Sequence, residues 1–176
     1  MPAKHWASPA IQELAAKLYV QGTGKDKFEP NRAITRAEFT SMLVHSLGLT
    51  TRGEVSFADV SPSAWYAESI SIASKAGIVN GRSASKFEPA AQITREEITV
   101  MLMKAYELKQ GRVNTVASTD VALFKDMKQV SSWATTSVQE AARLGLVQGQ
   151  SQGIFAPKGI ASRAEATQVI YNLIMK

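Results

Sequence analysis

Three copies of one pattern run through this chain, and the repetition limits its possible folds more than any other feature. Five residue types follow in the same order and at the same spacing, with no gap between the first and the last. The copies are Trp6, Gly22, Phe28, Pro30 and Arg36; Trp65, Gly81, Phe87, Pro89 and Arg95; and Trp133, Gly149, Phe155, Pro157 and Arg163. A repeat of this length indicates one supersecondary unit that buries its apolar face against its neighbours.

Each unit is predicted to be a helix, a loop and a second helix, so the fold class is mainly α. Apolar residues recur at helical spacing after each Trp, whereas the segment between the Gly and the Pro is rich in Gly and polar residues. The units span residues 1–49, 57–108 and 123–176, and together they are expected to form one domain.

The first helix of each unit has recognisable ends. Ser8 and Pro9 predict a helix start in unit one, as an N-cap followed by Pro at the first helical position. Gly77 and Gly145 stand where a glycine ends the first helix of units two and three. Unit one has Leu18 at the matching position, so we expect its first helix to end differently.

The second helix of each unit opens with a hydroxyl residue, Arg, any residue and Glu, as in ITRAEF, ITREEI and ASRAEA. The hydroxyl residue and the Glu predict a capping box, in which each side chain bonds the backbone N–H of the other residue. The predicted pairs are Thr35 with Glu38, Thr94 with Glu97, and Ser162 with Glu165.

Capping does not explain the Arg, because the positive end of the helix dipole disfavours a cation at the first helical position. An Arg beside free helix N–H groups is suited to bind a carboxylate or phosphate. Arg36, Arg95 and Arg163 are therefore candidate anion-binding residues. The alternative is an ion pair with the Glu at N3 or with a nearby Asp. If the Arg binds a ligand, Arg→Ala is expected to weaken binding and to leave the fold intact, since the caps remain.

The composition favours a folded protein with an anionic partner. The chain has 176 residues, 45% of them hydrophobic and 20% charged, with a net charge of +5. No run of Lys or Arg indicates a nucleic-acid-binding arm, and we expect no nucleic-acid partner. No apolar stretch is long enough for a membrane-spanning helix, and no signal-peptide pattern is present. Cysteine is absent, which excludes disulfides and thiolate chemistry.

Catalysis is not indicated by any motif of this segment. The two histidines, His5 and His45, have no partner that repeats with them. The nucleophile-elbow, zinc-protease and P-loop patterns do not occur, and no cluster of metal-ligand residues stands out. We therefore expect neither an enzyme activity nor a cofactor or metal in this segment.

These residues together resemble three tandem S-layer homology motifs. In unit two the resemblance rests on FADVSPSAWYAESI, GIVNGRSASKFEP and ITREEITVML. In unit three it rests on FKDMKQVSSWATTSV, GLVQGQSQGIFAP and SRAEATQVI, and in unit one on HWASPAIQEL, GTGKDKFEP and ITRAEFTSML. The resemblance covers nearly the whole chain apart from the links at roughly 50–56 and 109–122.

The resemblance implies a fold, a location and a ligand. Domains of this family are pseudo-threefold, mostly helical and shaped like a three-pronged spindle. They hold surface proteins of Gram-positive bacteria to the cell wall without a covalent bond, which implies an extracellular location. The implied ligand is an anionic secondary cell wall polysaccharide with a pyruvate ketal on N-acetylmannosamine, bound in grooves between repeats. Arg36, Arg95 and Arg163 match the Arg that contacts this ligand.

The three Trp residues are candidates for contact with the sugar. The ring of a Trp covers the apolar face of a sugar well, so Trp6, Trp65 and Trp133 are suited to line the grooves. A Trp at a helix start is more often an anchor of the core, and this alternative stays open.

Loop glycines and two aspartates complete the candidate site. Gly22, Gly81 and Gly149 would let the loop backbone approach a glycan, although the requirements of a turn also explain them. Asp59 and Asp126 belong to the F-x-D segment before the Trp. They either accept hydrogen bonds from sugar hydroxyls or cap the turn before the Trp.

The units also differ from one another. The Asp of the F-x-D segment in unit one would precede Met1, so we expect the chain to be a piece of a longer protein or to have an atypical start. Unit three has Ser162 in place of Thr, and Ala156 in place of Glu29 and Glu88. We expect unequal grooves, of which only one or two bind.

Two other functions are compatible with the same sequence. A helical repeat module with basic grooves could bind an acidic protein loop, and a wall-binding module could recognise peptidoglycan or a teichoic-type polymer. A pyruvylated sugar would compete with its own polymer and would not displace a protein partner. Because one chain supplies all three repeats, we expect a monomer.

Overall fold

The protein is described here by a computed structural model that covers residues 5–24, 27–54, 57–111 and 124–176. These residues form α-helices and no named strand, which confirms the mainly α class. The helices are α1 (Ser8–Ala16), α2 (Arg36–Leu47), α3 (Ala67–Lys75), α4 (Arg95–Gln110), α5 (Thr135–Arg143) and α6 (Arg163–Ile174), with two 3-10 helices at Met127–Gln129 and Ser151–Gly153. The predicted boundary at residue 123 and the chain start at Met1 lie outside the described residues.

The second helix of each unit begins as predicted. α2, α4 and α6 start at Arg36, Arg95 and Arg163, each directly after the N-cap hydroxyl residue. Both halves of the capping box are formed in all three helices. The first helices begin two residues after each Trp, and in α1 the N-cap is Ala7, one residue before the predicted Ser8.

The first helix of unit one ends like the other two, so the prediction of a different end is wrong. Leu18 has a φ of 60°, close to the 72° of Gly77 and the 66° of Gly145. Its N–H donates to Ala15 O at 3.0 Å, and the next N–H, of Tyr19, donates to Leu14 O at 2.9 Å. Leu18 adopts the left-handed conformation because the following residues must enter the core along the same path as in the other units.

The helices of neighbouring units pack in a closed cycle. α3 packs against α2, α5 packs against α4, and α1 packs against α6. The first helix of each unit therefore lies on the second helix of the preceding unit, and unit one closes the cycle onto unit three. The family's three-pronged outline stays a prediction, but this order of contacts is what such a domain requires.

Three backbone hydrogen bonds join the units at the centre of this cycle. The N–H of Ile34 donates to Ala161 O at 3.0 Å, the N–H of Ala161 to Ile93 O at 3.0 Å, and the N–H of Ile93 to Ile34 O at 3.2 Å. All three residues are buried, and each stands at the same position of its unit. The three bonds thus form a ring in which every unit donates once and accepts once.

The described helices include none with the length and apolar character needed to cross a membrane.

Replacing Leu18 with Gly is expected to stabilise the fold. An L-residue in the left-handed region costs about 1 kcal/mol relative to glycine, and the Leu18 side chain is 76% exposed, so little packing is lost. The measurement is the free energy of unfolding in urea, which should rise by roughly 0.5–1 kcal/mol.

The matched control is Gly77→Leu, whose added Cβ meets no atom within 4 Å. It should lower stability by a similar amount, because only the backbone conformation is penalised. Equal stability of Leu18→Gly and the wild type would contradict the assignment of strain to Leu18.

Candidate functional site

The three predicted ligand-binding arginines lie where two neighbouring units meet. Each of these three contact regions is called a seam. Arg36 and Arg163 are each 5% exposed, and the side chain of Arg95 is 11% exposed. Each extends from the start of a second helix to the loop of the next unit in the cycle. These arginines are therefore part of the contact between units as well as candidate ligand residues.

Arg36 shows how this contact is built. Its Nε donates to Phe87 O at 2.9 Å, its Nη2 donates to Asn80 O at 3.1 Å, and its Nη1 donates to Glu97 Oε1 at 3.2 Å. The guanidinium carbon lies 4.7 Å from the centre of the Phe87 ring, which is a cation–π contact. All of these partners belong to unit two.

The other two arginines repeat this arrangement. Arg95 donates to Phe155 O at 2.7 Å, to Gln148 O at 2.9 Å and to Glu165 Oε1 at 2.7 Å. Arg163 donates to Phe28 O at 3.0 Å and to Gln21 O at 2.8 Å, and it lies 3.7 Å from Glu38. An ion pair between the Arg and a Glu at N3 was one of the two alternatives open from the sequence. The structure shows this ion pair, but the Glu belongs to the next unit in the cycle and not to the helix of the Arg.

The N–H groups at the helix starts are already bonded, so the expectation that they are free for a ligand is wrong. The N–H groups of Arg36 and Ala37 donate to Ala91 O at 2.9 Å and to Pro89 O at 3.1 Å. The third, of Glu38, donates to Thr35 Oγ1 at 3.2 Å. The same bonds occur at α4 and α6. The first-turn N–H groups are therefore bonded within the protein at all three helix starts.

The Glu at N3 is held by several donors in each seam. Glu97 accepts bonds from Arg82 at 2.9 and 3.0 Å and from the Thr94 N–H at 2.9 Å, besides Arg36. Burial raises the pKa of Glu97, but the bonds from Arg82 and Thr94 outweigh this effect and hold the pKa below its ordinary value. The pKa values of Glu38 and Glu165 are lowered in the same way.

Asp59 and Asp126 hold the loop of their own unit. The two carboxylate oxygens of Asp59 accept bonds from the N–H groups of Phe87 at 2.9 Å and Glu88 at 2.7 Å. Asp126 accepts from the N–H groups of Phe155 at 2.8 Å and Ala156 at 2.7 Å. Neither Asp caps the turn before the Trp. Instead, each fixes the loop segment against which an Arg of the preceding unit rests.

The loop glycines are needed because another backbone segment lies against them. A Cβ at Gly22 would stand 2.8 Å from Lys27 O, and one at Gly149 would stand 2.9 Å from Ile154 O. At Gly81 the distance to Lys86 O would be 2.6 Å. Real side chains do not approach so closely, so a turn requirement accounts for all three glycines.

The three Trp residues lie on the surface, and the alternative of a buried core anchor is wrong for all of them. Trp6, Trp65 and Trp133 are 59%, 66% and 58% exposed. Each exposed ring lacks roughly 1 kcal/mol or more of the stabilisation that its burial would contribute to the fold. Three exposed rings at equivalent positions are the pattern expected for ligand contact.

A cavity of about 350 Å³ brings one Trp together with the seam between units two and three. Its wall includes Trp6 from unit one, Arg95 from α4, and the loop and α6 of unit three. The polar part of the wall is rich in amides and consists of Arg95, Thr99, Gln148, Gln150, Glu165, Gln168 and Asn172. All three units therefore contribute to one concave surface with an aromatic ring, amides and an ion pair.

The amide residues of this cavity were missed by the sequence analysis. Gln150 stands at the repeat position of Thr23 and Arg82, and Asn172 stands at that of His45 and Lys104. These positions differ in every unit, whereas the repeat is recognised by the positions that are identical. The signal that would have revealed them is a polar residue at a fixed repeat position on the exposed side of the seam.

The described residues contain no group of three or more His, Asp or Glu side chains that could hold a metal ion. The polar contacts found in the seams are hydrogen bonds, ion pairs and cation–π contacts between units.

Replacing Arg36 with Ala is expected to destabilise the protein, in contrast to the intact fold expected from the sequence. The change removes buried donors from Phe87 O and Asn80 O and one partner of Glu97, and should lower the free energy of unfolding by about 3 kcal/mol. The measurement is a urea unfolding curve.

The matched control is Arg52→Ala, because Arg52 pairs with Glu68 at the surface, with a side chain that is 68% exposed. That substitution should change stability by less than about 0.5 kcal/mol. If the two variants were equally stable, the seam contacts of Arg36 would not contribute to folding.

Acid is expected to unfold the protein through the carboxylates of the seams. Folded-state pKa values are lowered for Glu38, Glu97, Glu165, Asp59 and Asp126. A lowered pKa adds stability that is complete above the ordinary value, 4.5 for Glu, and is lost as the pH falls through the folded-state pKa. The urea midpoint should therefore be nearly constant between about pH 7 and 5 and fall steeply below about pH 4.5. A midpoint unchanged down to pH 3 would contradict this assignment.

Comparison with known proteins gives relatives along almost the whole chain. The chain is 43% identical over 176 residues to an amylopullulanase of Thermoanaerobacterium thermosulfurigenes, covering 98% of this chain and 9% of that protein. It is 41% identical to the exoglucanase XynX of Acetivibrio thermocellus, covering 98% of this chain and 16% of that protein. It is 34% identical over 172 residues to the S-layer protein sap of Bacillus anthracis, covering 97% and 20%. The chain thus spans a fifth or less of these relatives.

The family comparison accounts for the three units themselves. The S-layer homology domain matches three times in succession, at residues 1–40, 56–99 and 123–167. Each match contains one Trp, one loop with its Phe and one capping box, and the matches together cover most of the chain. The chain therefore belongs to the S-layer homology family.

Proposed function

We propose that this domain holds a surface protein to the cell wall by binding a secondary cell wall polysaccharide in the grooves between its units. The sugar proposed as ligand is N-acetylmannosamine with a pyruvate ketal, which has an apolar ring face, an acetamido group and one carboxylate. Each of these groups has a counterpart in the seams.

The coarser part of this function follows from the family. The chain is a cell-surface module of a Gram-positive bacterium, and an S-layer homology domain is an anchoring module and not a catalytic one. Relatives named as enzymes are several times longer than this chain. Any activity of a longer parent protein is therefore proposed to lie outside these 176 residues.

The observation that supports the glycan most directly is the cavity lined by Trp6. An exposed indole offers a flat apolar surface to the C–H face of a sugar. Gln148, Gln150 and Asn172 offer amide donors and acceptors for hydroxyl and acetamido groups. A cavity of about 350 Å³ is large enough for a ligand of one or two sugar rings.

Arginines of the seams are proposed to contribute to the carboxylate site as well as to folding. A guanidinium has five N–H groups, and the bonds described for Arg36 or Arg95 use three of them. We propose that the remaining N–H groups bond an oxygen of the ligand. Asp59, Asp126 and the loop glycines Gly22, Gly81 and Gly149 are proposed to act indirectly, by fixing the loop that forms the groove wall.

The proposal predicts binding that depends on both the pyruvate and the Trp. Calorimetric titration of the chain with the pyruvylated N-acetylmannosamine glycoside should give a heat of binding, and the unpyruvylated glycoside should bind much more weakly. Trp6→Ala should weaken binding in its groove by about fivefold, because a stacked ring contributes roughly 1 kcal/mol. Its melting temperature should stay close to that of the wild type, because Trp6 is exposed.

The matched control is Leu108→Ala, which removes another exposed apolar side chain that does not line the cavity. Equal binding of the two sugars would contradict the role of the pyruvate. If neither sugar binds, while purified peptidoglycan, a teichoic-type polymer or an acidic protein does, the ligand belongs to that class instead.

A further inference from the structure

The three seams differ in one position that bears directly on the charge of the ligand. Asn172 lines the cavity between units two and three. The repeat places Lys104 and His45 at the same position of α4 and α2. Only Lys104 has a permanent charge at neutral pH among these three residues.

Lys104 lies next to the seam occupied by Arg36. Asn80 accepts a bond from Arg36 Nη2 through its backbone oxygen at 3.1 Å. In the amide orientation that satisfies both ends of its side chain, Asn80 Oδ1 accepts a bond from Lys104 Nζ at 3.1 Å, and its nitrogen donates to Val79 O at 3.1 Å. Two cations of different units therefore meet at one loop residue.

The carboxylates of this seam are already paired with another cation. Glu97 is bonded by Arg36 and, at 2.9 and 3.0 Å, by Arg82. Glu88 is bonded by Arg82 at 2.8 Å. Among the described residues, the ion pairs of this seam leave Lys104 without a carboxylate within 4 Å. Three cations, Arg36, Arg82 and Lys104, therefore lie beside the two ion-paired carboxylates of this seam, and Glu107, on the same helix as Lys104, acts on Lys104 without forming an ion pair with it.

Among the described residues, the arginines of the other two seams are paired with carboxylates. Arg95 pairs with Glu165 at 2.7 Å, and the nearby positions are the amides Gln150 and Asn172. In the third seam, Arg32 and Arg163 face Glu38 and Glu29. An anionic group would thus meet an ammonium without an ion pair in the Arg36 seam, whereas the arginines of the other two seams are paired with carboxylates.

The environment of Lys104 also favours an anion. Burial lowers the pKa of Lys104, and the charge of Glu107 opposes this effect without overcoming it. A partly buried ammonium that has lost hydration gains more from an opposite charge than a fully solvated one does.

We propose that Lys104, beside Arg36, binds the anionic substituent of the wall glycan, and that the groove between units one and two is the one that selects for charge. This inference rests on the proposed function. It names the groove and the residue that make glycan binding depend on the charge of the glycan. The chemistry is that of a single anion on a sugar, which can be the carboxylate of a pyruvate ketal or a phosphate. The amide-lined groove beside Arg95 binds the same polymer with less dependence on its anionic group.

The test is calorimetric titration of the full chain and of Lys104→Gln with three probes: the pyruvylated N-acetylmannosamine glycoside, the unpyruvylated glycoside and glycerol phosphate. Lys104→Gln should lower affinity for the pyruvylated sugar by about tenfold or more and leave the unpyruvylated sugar unaffected. Lys104→Arg should retain most of the affinity, because it keeps the charge. Lys128→Gln, a change of an exposed lysine in the 3-10 helix, is the matched control for net charge.

Each outcome distinguishes this inference from the proposed function. If the wild type requires the pyruvate and Lys104→Gln binds equally well, the assignment of Lys104 is overturned while the wall-binding function stands. If Lys104→Gln loses affinity for glycerol phosphate only, Lys104 remains the anion site, but the anion that it binds is a phosphate and not the carboxylate of a pyruvate ketal. If the wild type binds no probe, both are overturned. An unchanged melting temperature of Lys104→Gln would show that lost affinity is not lost folding.

Discussion

The ring of hydrogen bonds between Ile34, Ile93 and Ala161 is the constraint on which the rest of this structure depends. Each unit donates one bond to a neighbour and accepts one from the other, so the ring closes only when three units are present. The next residues along each chain segment then donate their N–H groups to the loop of the adjacent unit. A single unit would leave the start of its second helix unsatisfied, at a cost of roughly 1–3 kcal/mol for each buried group. Open solenoids add units without limit, whereas this ring fixes their number.

The ring also explains the position of the arginines. Once a second helix begins at the seam, a side chain at its first position extends directly over the loop of the next unit. Arg has the length and the planar set of donors to bond the Phe87 and Asn80 carbonyl oxygens and the Glu97 carboxylate at once. The unfavourable helix dipole is outweighed because these bonds satisfy oxygens that would otherwise be buried without a donor. The cavity beside Arg95 arises from the same geometry, since the seam between units two and three leaves a concave surface beside that Arg.

Much of this fold could be predicted from the sequence because its signals are local. The capping boxes, the starts of α2, α4 and α6, and the helix–loop–helix unit each depend on residues within a few positions of one another. The partners of the arginines could not be predicted, because Arg36 and Glu97 are 61 residues apart and the repeat alone does not order the units in space. The conformation of Leu18 at the end of α1 could not be predicted for a related reason. Its local preference disfavours a left-handed conformation, but the path of the following residues into the core imposes it.

Only the candidate site residues that are identical in all three units could be predicted from the sequence. Residues identical in all three copies, such as the Arg and the loop Gly, turned out to build the seams. The residues that give each seam its own chemistry are those that differ, such as Gln150 opposite Arg82 and Asn172 opposite Lys104. A repeat domain can therefore keep one frame and vary the lining of each groove separately. Under the proposed function and the inference for Lys104, the seams of one domain bind a single polymer with different dependence on its charge. The summed affinity then exceeds that of any one groove, because the second contact is made within an already bound complex.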